Sequence, residues 1–315
     1  MTDPHPRHVL IGILCAIGGS ATLSLNDLFI KTLAPTYALH QVMLVRAFIG
    51  IAFIAGFIKI SGLGFAILIT RRPKIHLLRA SIVMVANVTY FLGLAALPLA
   101  NAAAIGFVAP ILLTLLSVVI LHEQVGWHRW GAVIVGLIGV VVMLRPEGEF
   151  HWATLLVLGS AFCYACTQIM TRYMRDTESA VTINFYSHCA FAIVSTAIGL
   201  WVGDGHLAGS RDASLAFLLR PWVWPPSGDW PYFLGTGLSV AIGGMLMSQA
   251  YRMNPAALVA PFEYTAMPLA VIWGLLFFGT FPDTQGWIGI ALIIGAGLYT
   301  LYREALRRKR SPKSL

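Results

Sequence analysis

Charge is what this sequence lacks. Asp, Glu, Lys and Arg together make up 11% of its 315 residues, whereas about a quarter of a soluble globular chain is charged. That excludes an ordinary water-facing surface. Acid is the scarcer sign, 13 residues against 21 basic ones, which leaves a net charge of +8. Signatures of common enzyme chemistry are missing too. There is no GxSxG elbow and no GxxxxGK[ST] phosphate loop, so an ATP-driven pump finds no support in this chain. "LHEQVGWH" is not a zinc-protease HExxH, because Gly126 stands where the second histidine would be. Cysteine is sparse, and Cys15, Cys163, Cys166 and Cys189 all lie in apolar runs. "CYAC" at Cys163–Cys166 has redox spacing. A redox thiolate wants an electropositive, partly exposed site, so the pair reads more simply as packing. No cofactor or metal is expected.

What is present is apolar sequence, 58% of the chain. A membrane-crossing helix needs roughly 20 such residues. The chain reads as ten spans: Leu10–Ile30, Ala38–Ile58, His76–Leu97, Asn101–Leu121, Trp130–Leu144, Trp152–Thr171, Val181–Val202, Trp230–Tyr251, Ala256–Phe278 and Gly286–Tyr302; the fifth is short, with a start near Trp127 as the alternative. They are too long and too continuously apolar for barrel strands of about 10 alternating residues. The expected class is an all-α membrane protein of ten transmembrane helices.

Base distribution sets its orientation. Lys59, Arg71, Arg72, Lys74 and Arg79 fall around the join of the second and third runs, and Arg303, Arg307, Arg308, Lys309, Arg310 and Lys313 in the tail. With an even span count these share a side, joined by Arg7, Arg129, Arg172, Arg175 and Arg252; the other side has Lys31, Arg145, Arg211 and Arg220. Both termini are therefore expected in the cytoplasm. The basic tail, residues 305–315, suits anionic lipid rather than nucleic acid.

The chain also repeats itself. Aligning Pro110 with Pro268 puts Gly131 on Gly289 and Gly139 on Gly297, a Pro-x20-Gly-x7-Gly pattern found twice. "FIKTL" closes the first run and "MTRYM" the sixth, each with a basic residue at the exit. This predicts two five-helix halves, residues 1–146 and 147–304. Five is odd, so the halves have opposite topology, a construction of many secondary transporters with the solute site at the repeat interface.

"LPLANAAAIGFVAPILLTLLSVVILHEQVGWHRWGAVIVGLIGVVVML" resembles the fourth and fifth helices of the EamA family in the drug/metabolite transporter superfamily. The points of likeness are a small-residue-rich helix, a mid-helix proline, an acidic residue (Glu123, after His122 instead of the common glycine) and a glycine-spaced helix. "VMLVRAF" around Arg46 resembles the family's second-helix arginine. "RASIVMVANVTYFLGLAALPLANAAAIGF" resembles a branch carrying riboflavin, S-adenosylmethionine and other metabolites. The second half departs from the pattern, with "TFPD" at Thr280–Asp283 in place of the acidic turn. The resemblance implies a secondary carrier working by alternating access.

Polar residues inside the runs are the site candidates, because a charge at mid-membrane must face protein or water. Arg46 is roughly 13 Å into its run at 1.5 Å per residue, and Glu263 is about two turns in from the other surface. Arg46 could take a carboxylate or phosphate as a forked donor; Glu263 could take a cation or a proton. A fixed ion pair between the two is the structural alternative. Pro261 and Pro268, matched by Pro110, loosen the helix near Glu263 and could bare carbonyls to a solute; plain packing kinks are the other reading. Asn87, Tyr90, Tyr164, Gln168, Tyr186 and Tyr264 could line a pocket for a planar or zwitterionic molecule, and each could equally be a packing residue. Gln249 is polar in the eighth run. His188 is a proton-relay candidate by its chemistry. Asp27 and Lys31, four apart, are expected to pair locally at the boundary. The tryptophan-rich stretch "RPWVWPPSGDWP" in the long segment 203–229 suits the outer interface, with a solute-gathering lid as the alternative.

The expected function is thus a secondary carrier of a small organic metabolite in a bacterial inner membrane. Riboflavin uptake comes first, with amino acids or S-adenosylmethionine as alternatives. A polytopic membrane enzyme is the reading of a different class. Partners expected are the small-molecule solute, the bilayer and, as an open alternative, a second copy in a homodimer.

Overall fold

The computed structural model describes residues 6–122, 127–144, 151–281 and 283–310. Glu123, Arg145 and Lys313 lie outside them, as do the side chains of Arg7, Arg129 and the basic residues 307–310. Every regular element among the described residues is helical: α1 (Pro6–Leu33), α2 (Leu39–Ile60), α3 (Pro73–Ala96), α4 (Leu99–Gly106), α5 (Ala109–Leu121), α6 (Trp127–Leu144), α7 (Ala153–Tyr173), α8 (Ala180–Val202), α9 (Ala213–Leu219), α10 (Trp230–Met253), α11 (Ala256–Val259), α12 (Ala266–Phe278) and α13 (Thr284–Arg310). Seven spans are long and apolar enough to cross a membrane, with α4 and α5 counted as one; three shorter apolar helices accompany them, around Trp130–Gly139, Phe262–Phe278 and Thr284–Ala296.

Local chemistry sets the helix ends. Pro73 opens α3, where its missing N–H costs nothing. Ser179 caps α8 by accepting from the Thr182 N–H at 3.0 Å. Two apolar runs are interrupted. Gly106 ends α4, and α5 restarts at Ala109 with Pro110 in its first turn. In the second half, α11 passes through a tight 3-10 stretch, Ala260–Thr265, before α12 begins with Pro268 in its first turn. A 3-10 stretch inside a helix marks a hinge or a strained sequence, and Glu263 lies within this one. The last helix continues to Arg310, so the basic residues from Arg303 to Arg310 extend a helix.

Helices pack in pairs: α1 on α10, α3 on α7, α2 on α8, and α6 on α13. Gly50 lets α2 and α8 close up, since a Cβ there would stand 2.1 Å from the His188 ring. Large apolar side chains such as Leu14, Leu200, Trp201 and Leu276 point outward, where lipid is their natural solvent.

The two ends of the bundle are tied by different groups. At one end Glu178, after α7, accepts from the Thr70 hydroxyl (2.7 Å) and the Arg71 N–H (3.3 Å), and His76 lies 3.3 Å from it. At the same end Arg172 donates to the Arg252 carbonyl (3.1 Å), Arg252 donates to the Arg175 carbonyl (3.0 Å) and, from Nη1, to Gln249. At the other end the segment 203–229 is latched down. Tyr37 donates to Asp229 (2.5 Å), Gln41 to the Val223 carbonyl (2.6 Å), Arg220 to the Ala34 carbonyl (2.6 Å), and Ser214 of α9 to the Leu92 carbonyl (2.6 Å). Burial, aided by the adjacent Asp229 carboxylate, pushes the Tyr37 hydroxyl up to about 12.

Candidate solute-binding cavity

Between the helix pairs lies a cavity of about 250 Å³, walled by α1, α3, the α4–α5 break, α7, α8, α10 and the stretch around Glu263. Its rings come from Tyr90, Phe91, Phe107, Tyr164 and Phe191, and its ionisable groups include Asp27, Arg79 and Glu263.

Asp27 and Glu263 are both held by tyrosines. Asp27 accepts from the Tyr90 hydroxyl at 2.8 Å and from the Asn26 amide at 3.3 Å. Glu263 accepts from the Tyr251 hydroxyl, and the Tyr164 hydroxyl is turned toward the same carboxyl. These donors aim each carboxyl without neutralising it, and so leave it free to meet a cation or take up a proton.

Arg46 is fully buried and stands one layer behind the wall. It donates to Asn87 Oδ1 at 2.9 Å and to Asn26 Oδ1 at 3.5 Å. Asn87 in turn donates to the Val83 carbonyl (2.9 Å), and Thr236 donates to Asn26 (2.6 Å), so both amides are fixed with their oxygens toward the guanidinium. The rings of Phe91 and Phe191 flank it at 5.0 and 4.9 Å, close enough for cation–π attraction. Arg46 and Glu263 therefore do not pair: the first is bound by amides, the second by phenols.

Of the residues singled out in the sequence, Asn87, Tyr90, Tyr164, Gln168, Glu263 and Pro110 line the cavity. Others sit elsewhere. Tyr186 donates to the Leu68 carbonyl at 3.1 Å and packs its ring, tilted by 33°, against His76, so it latches the α2–α3 loop. His188 turns Nδ1 to the Asn184 carbonyl (2.9 Å) and fills the α2–α8 crossing opposite Gly50. The Tyr264 ring packs 5.4 Å from Phe107, where the two interrupted runs meet. Pro268 faces outward.

The local Asp27–Lys31 pair is not formed. Lys31 reaches instead to the end of α3, bonding the carbonyls of Leu94 (2.5 Å), Ala95 (3.4 Å) and Leu97 (2.6 Å). A cation on a helix C-terminus answers its free carbonyls and its dipole. Asp27 is thereby released to the cavity. Arg79, counted in the sequence only toward the base distribution, is likewise on the cavity wall.

Comparison with known proteins agrees with this architecture. The model of the EamA-like transporter family matches twice, at residues 10–145 and 151–302. A protein named riboflavin transporter from Rhizobium johnstonii is 28% identical over 98% of this chain and 96% of its own length. One named S-adenosylmethionine uptake transporter from Rickettsia prowazekii is 27% identical over 94% of each. A solved crystal structure superposes with a TM-score of 0.69 at 20% identity, covering 97% of this chain and 99% of its own, which is a likeness of fold. Matched over both halves, the chain belongs to the EamA-like transporter family.

Proposed function

We propose that this protein is a secondary-active carrier that moves a small metabolite through the cavity by alternating access. The family is one of transporters, and the chain carries the multi-pass helical body such a protein needs. The observation that carries the reading is a largely apolar cavity between helices of the two matched segments, with the carboxyls of Asp27 and Glu263 both on its wall.

Our finer reading is ten spans in two inverted five-helix halves, residues 1–146 and 147–304, with a basic tail at 305–315. Exchanging the halves turns the α1–α10 contact into the α7–α3 contact and leaves α2–α8 and α6–α13 as they are. Lys31 ends α1 on the α3 carbonyls at one end of the bundle, and Arg172 ends α7 on the Arg252 carbonyl of α10 at the other. Equivalent contacts at opposite ends are what inversion requires. The bacterial relatives support an inner-membrane location, and the base distribution favours both termini in the cytoplasm.

The solute is a planar heteroaromatic metabolite. Riboflavin is the first candidate and S-adenosylmethionine the second, from what the two relatives are named for. The cavity rings suit either. Counterflow in proteoliposomes tests the reading: vesicles preloaded with unlabelled riboflavin or S-adenosylmethionine should accumulate the labelled form. Empty-vesicle rates for both solutes and for an amino-acid panel, with folded and inserted protein, would sink it.

A further inference from the structure

Arg79 brings a positive charge to the cavity wall with no carboxylate to answer it. It is 6% exposed and forms no ion pair among the described residues. Its protein partners are two hydroxyls: Nε donates to Thr171 Oγ at 3.0 Å and Nη1 to Ser187 Oγ at 2.8 Å. Each hydroxyl already donates to its own helix, Thr171 to the Thr167 carbonyl (2.8 Å) and Ser187 to the Ile183 carbonyl (3.0 Å). They can therefore offer Arg79 only lone pairs, which aim the guanidinium without neutralising it. Nη2 has no hydrogen bond among the described residues and keeps access to the cavity.

An acceptor sits beside this donor. Gln168 lines the cavity three residues before Thr171, within one turn of the same helix face. Its Oε1 is buried and finds no donor among the described residues. A buried cation without a counter-ion and a buried acceptor without a donor both weaken a fold. A buried group left unsatisfied calls for an explanation, and at a cavity wall a ligand can supply the missing partner.

We propose that Arg79 and Gln168 hold the α-amino-acid end of the transported solute, Arg79 on its carboxylate and Gln168 Oε1 on its ammonium. The guanidinium fork matches a carboxylate in shape and charge. Tyr164, one turn before Gln168 and turned toward Glu263, lines the path from this headgroup to the second carboxyl. This rests on the carrier reading of the cavity and narrows its solute to molecules built like S-adenosylmethionine, since riboflavin has no carboxylate.

The test is the melting of the full-length protein in detergent. Probes are S-adenosylmethionine and its decarboxylated analogue, L-phenylalanine, phenethylamine, 3-phenylpropionate and riboflavin. A solute that binds the folded state raises the melting temperature by mass action. Carboxylate-bearing probes should bind wild type about tenfold or more tighter than their decarboxylated partners. Arg79→Gln should erase that preference, and Arg79→Lys should keep part of it. Gln168→Leu should erase the preference for L-phenylalanine over 3-phenylpropionate. Without solute, Arg79→Gln should melt at or above wild type, because Thr171 and Ser187 stay satisfied and a lone buried charge is gone. A merely structural Arg79 would instead leave that variant melting well below wild type. Equal stabilisation by both members of each pair, no stabilisation by any carboxylate, or an unchanged preference in Arg79→Gln would overturn the assignment. Riboflavin binding with no carboxylate preference removes the headgroup site and leaves the carrier standing. Failure of wild-type counterflow removes the carrier reading by itself.

Discussion

Helices α1 and α7 open the two matched segments, and they share a structural device but not a chemical one. Each ends in a base that bonds carbonyls at the end of another helix, Lys31 on α3 and Arg172 on α10. Four residues before that base each presents a polar side chain to the cavity, Asp27 on α1 and Gln168 on α7. One is a carboxylate held by Tyr90; the other is an amide near Arg79. The packing role is duplicated and the charge is not. The cavity thus carries a carboxyl where α1 meets it and, across from the α7 amide, the Arg79 guanidinium, with Glu263 as a second carboxyl on the same wall.

The largest effect is expected where that polar layer is anchored. Arg46→Ala removes the guanidinium from Asn26 and Asn87, leaving Asn87 Oδ1 without its donor, and empties the space between Phe91 and Phe191. Charge-assisted hydrogen bonds are worth up to about 3 kcal/mol, so thermal unfolding in detergent should show a loss of that order. An unchanged melting temperature would mean that Arg46 does not organise the cavity.

Next comes the charge contrast itself. Asp27→Asn keeps the Tyr90 contact and removes the charge; solute flux should fall roughly 30-fold, the equivalent of about 2 kcal/mol for a lost buried charge contact. Glu263→Gln, which leaves an acceptor for Tyr251, should reduce flux less and still insert normally. Moving the carboxyl, by Asp27→Asn with Gln168→Glu, should not restore flux, because the relocated carboxylate would face Arg79. Full activity of the exchanged protein would show that the two positions are interchangeable.

The sequence was most informative where the physics is local. Apolar runs marked the helices because burial in lipid demands them, and Pro110 and Pro268 marked the interruptions because proline cannot continue a hydrogen-bonded helix. Asp27 was misread because the four-residue rule considers one helix at a time; the carbonyls that draw Lys31 away belong to α3. Arg79 counts in the base distribution with Arg71, Arg72 and Lys74, although Pro73 opens α3 and leaves Arg79 more than a turn inside it. A proline at a helix start was the signal that separates them. The positions of Tyr186 and His188 depend on which helices cross, which no single run contains.

A smaller effect checks the shared device. Lys31→Met and Arg172→Met should each cost about 1 kcal/mol, the scale of a cation on a helix C-terminus. Similar losses would support the equivalence of α1 and α7, and a large loss in one alone would break it.

The smallest expected effect concerns a part that only the second half has. The α2–α3 connection contains a single short 3-10 turn, Phe65–Leu68, whereas the α8–α10 connection carries α9. Asp212 caps α9 by accepting from the Leu215 N–H at 3.0 Å and is also bonded by the Trp152 indole at 2.9 Å. These bonds, the Leu215 one foremost, hold its carboxyl below the usual carboxylate range. A carboxyl depressed in the folded state adds stability above its unfolded pKa, and the gain is lost as pH falls through the folded value. Asp212→Ala should therefore cost up to about 1 kcal/mol at neutral pH, and that difference from wild type should shrink in acid. Asp212→Asn retains a neutral cap and should show a flatter pH profile. If Asp212→Ala leaves melting unchanged at neutral pH while segment 203–229 stays protease-resistant, the bonds from Tyr37, Gln41 and Arg220 suffice to hold it, and α9 is held in place rather than holding.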